Sequence, residues 1–391
     1  MKKFDIKRTA MIVLLVGLIF SLGVQTGRGN ISFGRTKNTA NSQLPENINY
    51  SSVEQVYDSL REQYDGELDY DKLLNGLKSG LVAASGDPYT EYLSEEQAKE
   101  FEGDLNGTFE GIGAELSKED EFVVIVAPIK DMPADKAGLK PKDKISKIDG
   151  ENAYGMSVEE AKNKIRGPKG TKVKLTLIRD NKEVEVEITR ATINVPSVES
   201  SIKNNIGIMT IYRYGDDTSY LARKAANEFK QAGVKGVVLD LRGNPGGYLE
   251  AAVNVSSLWL NNKVVLKEKR GDVVIKTYES RGEATLNGIP TVVLINEGSA
   301  SASEITAGAL KDNNAATLVG VKSYGKGSVQ QPEPLQSGGI LKVTIARWYT
   351  PDGKNIDKEG IKPDKEVNIS EEDYKNGKDP QLDAAIGILN N

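Results

Sequence analysis

From about Val195 onward, short apolar runs alternate with stretches of helical spacing, and this alternation limits the fold more than anything else in the chain. IGIMTIY (Ile206–Tyr212) precedes a helical stretch over Tyr220–Gln231, and VKGVVLDL (Val234–Leu241) precedes one starting at Tyr248. TVVLIN (Thr291–Asn296) precedes a third starting at Ala302, and ATLVG (Ala316–Gly320) and LKVTIARWYT (Leu341–Thr350) follow. Strands that alternate with amphipathic helices predict a layered α/β core. The last stretch, from Glu371, reads as a short C-terminal helix.

Upstream the period changes. Between Asn106 and Arg190, FVVIVAP, DKISKIDG, KVKLTLIR and EVEVEIT alternate in period two, with helical pieces at Ala134–Ala137 and Val158–Ile165. They predict a compact, barrel-like module of about 85 residues. Before it, Val53, Val56, Tyr57, Leu60 and then Leu73, Leu74, Leu77, Leu81 recur at helical spacing, and GDPYTEY (Gly86–Tyr92) breaks the helices. Residues 27–46 are polar and read as a flexible linker. At the start, Lys2, Lys3, Lys7 and Arg8 precede an apolar core of 15 residues, Ala10–Val24, inside a charge-free window of 19. No Ala-x-Ala site follows, so the expectation is an uncleaved single-pass membrane anchor with its basic end in the cytoplasm. A cleaved signal segment that leaves a secreted protein is the alternative. Either way the bulk of the chain is expected outside the cytoplasm. The expected organisation is α/β and multidomain: anchor 1–26, linker 27–46, helical region 47–105, β module 106–192, layered core 193–350 and C-terminal segment 351–391.

The chemistry turns on what is absent. NEGSASASEITAGALKDNN (Asn296–Asn314) places three serines between an apolar run and a helix, which is the geometry that presents a nucleophilic serine. The chain has no histidine and no cysteine. Histidine-based triads and the common His-ligated zinc sites are therefore excluded. The remaining bases are a lysine, a carboxylate or a terminal amine. A lysine serves only when its pKa falls well below roughly 10.4 through burial or a neighbouring cation. Lys326 stands between two glycines in SYGKGSVQQP (Ser323–Pro332), far in sequence from any acidic residue but Asp312 and Glu333. Taken alone it also reads as a solvated turn lysine. In VVLDLRGNPGGYLEAA (Val237–Ala252) a strand enters Gly243-Asn244-Pro245-Gly246-Gly247, whose backbone N–H groups suit an oxyanion hole. A plain strand-to-helix turn fits that stretch as well. Gly320–Lys326 has phosphate-loop spacing, but Gly327 replaces the Ser or Thr that holds Mg²⁺, which argues against nucleotide binding. A net charge of −5 argues against nucleic acid.

Together, NEGSASASEITAGALKDN, SYGKGSVQ, LDLRGNPGG and GIGAEL resemble the carboxyl-terminal processing protease family, also called tail-specific proteases. The resemblance runs from about Asn47 to the end, with the motifs in the family's order. It implies a Ser–Lys endopeptidase with an inserted PDZ domain, acting on proteins and peptides with accessible C-termini, without metal or organic cofactor, as a homodimer built partly from terminal helices. By match to the family's motifs, Ser301 is the nucleophile, Lys326 the base 25 positions later, and Gln330 its support. Oxyanion donors match Ala302 and a glycine of the turn, Gly246 by preference. Glu304 and Asp312 match positions linked to the site. Gly111, Ile112, Gly113 and Ala114 resemble the PDZ loop that binds a terminal carboxylate, with the following strand pairing the peptide. Arg166 matches an arginine between PDZ and protease. Lys142 stands where the family usually has glycine, a departure expected to alter a turn and not the binding. A non-catalytic PDZ scaffold is the rival reading, and it needs neither the serine, the lysine nor the glycine turn.

Overall fold

The computed structural model describes Leu44 and residues 48–390. The predicted membrane anchor and most of the linker lie outside the described residues. Among the described residues, no helix is long and apolar enough to cross a membrane. The chain divides into two units, residues 1–70 and 71–391. In the first, helix α1 (Ser51–Gln63) has Glu54 in its first turn and Arg61 in its last, each matching the helix dipole. Helix α2 (Tyr70–Ala83) starts at the boundary.

The second unit continues with strand β1 (Glu91–Leu93) and helix α3 (Glu95–Asn106). Ser94 opens α3 with a reciprocal cap: its hydroxyl accepts from the Gln97 N–H, and its own N–H donates to the Gln97 side chain. Gly107 ends the helix in a left-handed conformation.

The period-two region then folds as β2 (Thr108–Gly111), β3 (Ala114–Glu119), β4 (Phe122–Pro128), α4 (Pro133–Lys136), β5 (Lys144–Ile148), β6 (Glu151–Asn152), α5 (Val158–Ile165), β7 (Lys172–Arg179), β8 (Lys182–Thr189) and β9 (Ala191–Asn194). Its sheet runs β3-β4-β5-β7-β8, with β6 beside β5. Alternation places Val173, Leu175 and Leu177 of β7 in one core with Val123, Ile125 and Ile145. The two ends of the module, β2 and β9, pair with each other antiparallel and close its neck. Lys142 takes a φ of 71° in the turn before β5, a conformation that glycine adopts freely, which is the physical content of the departure noted there.

The layered core comprises β10 (Val198–Lys203), β11 (Ile206–Ile211), α6 (Thr218–Ala232), β12 (Gly236–Asp240), α7 (Leu249–Ser256), β13 (Val264–Arg270), β14 (Val273–Glu279), β15 (Thr291–Ile295), α8 (Ala302–Asp312), β16 (Thr317–Gly320), β17 (Ser328–Pro334), β18 (Ile340–Tyr349), β19 (Lys365–Glu366), α9 (Glu371–Lys375) and α10 (Pro380–Leu389). One sheet runs β10-β11-β12-β15-β16-β19, parallel except for its first pair. Val237, Leu239, Val293 and Leu318 point to one face, among residues of α6, α7 and α8. Their alternates Val238, Val292, Leu294 and Val319 point to the other, against Leu382 and Ala385 of α10. A second sheet runs β1-β18-β13-β14, with β17 alongside β18.

Two boundaries expected from sequence do not separate independent pieces. Strand β1, from the helical region 47–105, hydrogen-bonds to β18, and β19 and α10, from the segment 351–391, complete the main sheet and cover its face. Burial of apolar surface, not chain order, sets these limits.

Candidate active site

The site lies beyond the carboxyl ends of β12 and β15, where open parallel sheets gather ligands. Two loops leave those ends and are laced together. Gly243 N–H donates to Asn296 Oδ1 (2.8 Å), Ala300 N–H to Asn244 O (3.0 Å), and Ser303 Oγ also to Asn244 O (3.0 Å). Ser299 is fully buried; its hydroxyl donates to Leu241 O at 2.8 Å and accepts from Asn296 N–H at 2.9 Å. The serines on either side of Ser301 are thus fastened to the scaffold.

Ser301 differs from both. It opens α8 with φ 53° and ψ −112°, a region that a non-glycine residue occupies only under constraint. One constraint is Gly246, whose φ is 104°. A Cβ built there would stand 2.8 Å from Ser301 Cβ and 3.0 Å from the Ala302 nitrogen, so only glycine lets the loop approach the serine this closely. Ala302 is the first residue of α8, and the first N–H groups of a helix lack intrahelical partners. The Gly246 N–H, expected from sequence as the second donor, is instead turned to Asn244 Oδ1 at 2.9 Å. The next amide, Gly247, has no hydrogen-bond partner among the described residues and belongs to the same cavity.

Glu304 joins the serine to the lysine. It is fully buried, and its carboxylate accepts from Ser301 N–H (2.9 Å), Lys326 N–H (3.0 Å), Gly325 N–H (2.7 Å) and Ser323 Oγ (2.6 Å). Burial pushes its pKa up while these donors pull it down, and burial prevails. One turn of helix therefore holds a loop that lies 22 residues further along the chain.

Lys326 has its carbonyl held by Trp348 Nε1 (2.9 Å) and its Nζ over the Tyr89 ring, 5.4 Å from the centroid. Burial lowers its pKa, and Lys342 lowers it further by charge repulsion. Ser301, Lys326, Gln330 and Gly246 line one cavity of about 510 Å³, with Ile305, Val329 and Trp348 among its apolar walls. In this conformation Nζ makes no hydrogen bond to Ser301 Oγ. The Gln330 amide donates to Ser328 Oγ (2.7 Å) and Thr344 Oγ1 (3.4 Å), not to Lys326. Asp312 does not join the site. It ends α8, roughly 16 Å along the axis from Ser301 at 1.5 Å per residue, and accepts from Asp352 N–H at 3.0 Å.

Sequence reasoning missed Tyr89, Lys342 and Trp348. Tyr89 lies in GDPYTEY, read only as a break between helices. Lys342 and Trp348 lie in LKVTIARWYT, read only as a strand. Period two puts Lys342, Thr344, Ala346 and Trp348 on one face, and a lysine on that face was the available signal.

In the β module a second cavity, of about 190 Å³, lies between β3 and α5 and is lined by Ile112, Gly113, Ala114, Leu116 and Ile165. Gly111 ends β2 at the mouth of the loop. Arg166, just after α5, stacks its guanidinium 4.5 Å from the Phe109 ring centroid.

Residues 205–367 match a family model described as Peptidase family S41, residues 111–189 one described as PDZ domain, and residues 24–97 one described as Activating protease CtpB N-terminal domain. The chain is 39% identical over 364 residues to the carboxy-terminal processing protease CtpA of Bacillus subtilis (strain 168), across 92% of this chain and 75% of that protein. It is 37% identical over 369 residues to a probable CtpA-like serine protease of Staphylococcus haemolyticus (strain JCSC1435), across 94% of this chain and 74% of that protein. A solved photosystem II D1 C-terminal processing protease superposes with a TM-score of 0.51 at 26% identity, over 81% of this chain and 87% of that one. A putative S41 protease from Bacteroides fragilis shares the fold, with a TM-score of 0.56 at 19% identity over 89% and 99% of the two chains. Likeness of this extent, over both the β module and the core, is more than a shared architecture: the chain belongs to the carboxyl-terminal processing protease family and is a serine-type peptidase of family S41 carrying a PDZ domain.

Proposed function

We propose that Ser301 is the nucleophile and Lys326 the general base of this peptidase. The observation that carries this reading is the Glu304 carboxylate, which bonds the backbone N–H of both residues and so fixes their separation at one cavity. Ser301 Oγ attacks the peptide carbonyl carbon as its proton passes to neutral Lys326 Nζ. The carbonyl oxygen takes the negative charge among the amides of Ala302 and the Gly246–Gly247 turn. Lys326 then gives the proton to the leaving amine, and water attacks the acyl-enzyme by the same route in reverse. A swing of the flexible lysine side chain from Tyr89 toward Ser301 precedes the first transfer. Gln330, two residues along the bulged strand from Ser328, supports the wall on which the lysine rests.

The apolar cavity beside Ser301 accepts an apolar side chain next to the cut bond. The PDZ groove accepts the substrate's C-terminus: a carboxylate at the loop Gly111–Ala114, the strand paired with β3, and Arg166 at the groove's edge toward the neck. The N-terminal segment anchors the protein in the cell membrane with the catalytic part extracytoplasmic, and the working form is a homodimer. Cleavage of an unstructured protein by wild type and by Ser301→Ala tests the catalytic reading; equal cleavage by both refutes it. Membrane fractionation with protease added from outside tests the anchor, and sedimentation of the purified protein tests the dimer.

A further inference from the structure

We infer that Arg213 is a positioning residue that ties both chain crossings of the PDZ module to the glycine turn beside Ser301. The inference rests on the proposed roles of the PDZ groove and of that turn. The module enters the core after Asn106 and leaves it at Val195, on either side of the paired strands β2 and β9. A single nitrogen, Arg213 Nη2, donates to the carbonyls of both crossings, Asn106 O at 3.1 Å and Val195 O. The crossings also hold each other, through Val195 N–H to Gly107 O at 2.9 Å. Gly107 takes φ 61°, which favours glycine, and a Cβ there would displace the Arg213 guanidinium from this position.

The residue after Arg213 continues the path. Tyr214 N–H donates to Gly246 O (2.8 Å), and Tyr248 N–H donates to Tyr214 O (2.7 Å), so Tyr214 and Gly247 form a short parallel bridge. The buried Tyr214 hydroxyl donates to Thr306 Oγ1 at 2.8 Å, within α8, the helix that Ser301 opens. Two residues before Arg213, Ile211 O accepts from Asn244 Nδ2 at 2.7 Å. A shift of the neck therefore moves Arg213, and with it a backbone bonded to both sides of the glycine turn. Arg213 itself is largely covered, lines the substrate cavity, and keeps its buried Nε without a partner among the described residues. Its guanidinium is held by the two crossings and by the Asp217 carboxylate four residues on, 3.9 Å from the same Nη2.

The test compares full-length wild type, Arg213→Met, Arg213→Lys and Gly107→Ala. Each receives one substrate in two forms, with a free apolar C-terminus and with the same end amidated, and the affinity of the PDZ groove for a free-ended peptide is read by fluorescence anisotropy. Arg213→Met should lose about 10-fold or more in kcat on the free-ended substrate, with peptide affinity within roughly two-fold of wild type, because hydrogen bonds to a charged donor are strong. Its preference for the free end should collapse toward one. Arg213→Lys should recover part of that preference, and Gly107→Ala should lose it as Arg213→Met does, which keeps the test valid if one variant does not fold. Wild-type preference retained in Arg213→Met or in Gly107→Ala overturns the coupling alone. A wild type that does not distinguish the two ends removes the groove's proposed role and the coupling with it.

Discussion

Tyr89 sets the face of its ring against the side-chain nitrogen of Lys326, with Nζ 5.4 Å from the ring centroid. Two opposed effects meet at this contact. The ring attracts the charged form, whereas burial of the lysine disfavours it, and burial prevails. The segment that supplies the ring is fastened to the core. Asp87 accepts from Thr90 Oγ1 at 2.6 Å, and Thr90 Oγ1 accepts from Thr344 N–H at 3.1 Å. Tyr89→Leu keeps the lysine covered but removes the attraction, about 1 kcal/mol for a contact of this kind. At neutral pH kcat/KM should then rise by roughly five-fold, and Tyr89→Phe should stay near wild type. A pH–rate profile that Tyr89→Leu leaves unmoved would contradict this.

The rate should rise with pH, since Lys326 accepts a proton only when neutral and its pKa is depressed. Lys342, which pairs with Glu91 at 2.8 Å, adds to the depression. Lys342→Met removes a like charge and leaves Glu91 unpaired, and both changes favour the ammonium. The rising limb should therefore move to higher pH, with a lower rate at neutrality and little change in the maximum. Lys326→Arg should be inactive at every pH because guanidinium stays protonated. Steady-state kinetics between neutral pH and the pH of full activity check all three.

Stability gives an independent reading of the same lysine. Its folded pKa lies below its unfolded one, so its contribution is fully present above the unfolded pKa and is lost as pH falls through the folded pKa. Below the unfolded pKa the burial of this lysine counts against the fold, so Lys326→Met should raise the Tm at neutral pH. The gain should shrink as pH rises into that window. Thermal scans of the two proteins across the window decide it, and a constant difference would show that the lysine is not depressed.

Glu304→Gln should be costly although it preserves shape. The carboxylate accepts from four donors, whereas an amide offers one acceptor oxygen and turns its NH₂ toward groups that also donate. Buried donors left unsatisfied cost about 1–3 kcal/mol each. We expect lower stability by at least about 2 kcal/mol and a fall in kcat larger than any change in KM, since the bond between the Ser301 and Lys326 loops is lost. Denaturant titration and steady-state kinetics measure the two effects separately.

The three serines should separate cleanly. Ser301→Ala should abolish turnover while leaving the fold intact. Ser299→Ala removes a buried hydroxyl that bonds Leu241 O and Asn296 N–H, so it should cost about 1–3 kcal/mol of stability yet retain most activity in the folded fraction. Ser303→Ala should behave as a milder version of Ser299→Ala. An active-site titration that corrects for folded protein distinguishes these outcomes.

What the sequence determined by itself was whatever repeats at short range or is spelled out by a motif. Period two marked β4, β5, β7 and β8, and strand–helix alternation marked β11 to α8, because burial of one face imposes a period on the residues themselves. The run around Ser301, the small-residue setting of Lys326 and the turn Gly243–Gly247 were legible for the same reason. Each is a local backbone requirement written in residue types.

Tertiary structure decided everything that depends on partners distant in the chain. The pairing of β1 with β18 and the cover provided by α10 have no local signature, since each is fixed by the surface it completes; the hairpin of β13 and β14 had one, Gly271-Asp272 between two β-branched runs, that sequence reasoning passed over. Glu304 binding the lysine loop and Tyr89 lying over Lys326 belong to this class. A sequence gives the chemistry of a side chain, whereas its pKa and its partners come from the neighbours that only folding brings within hydrogen-bonding distance.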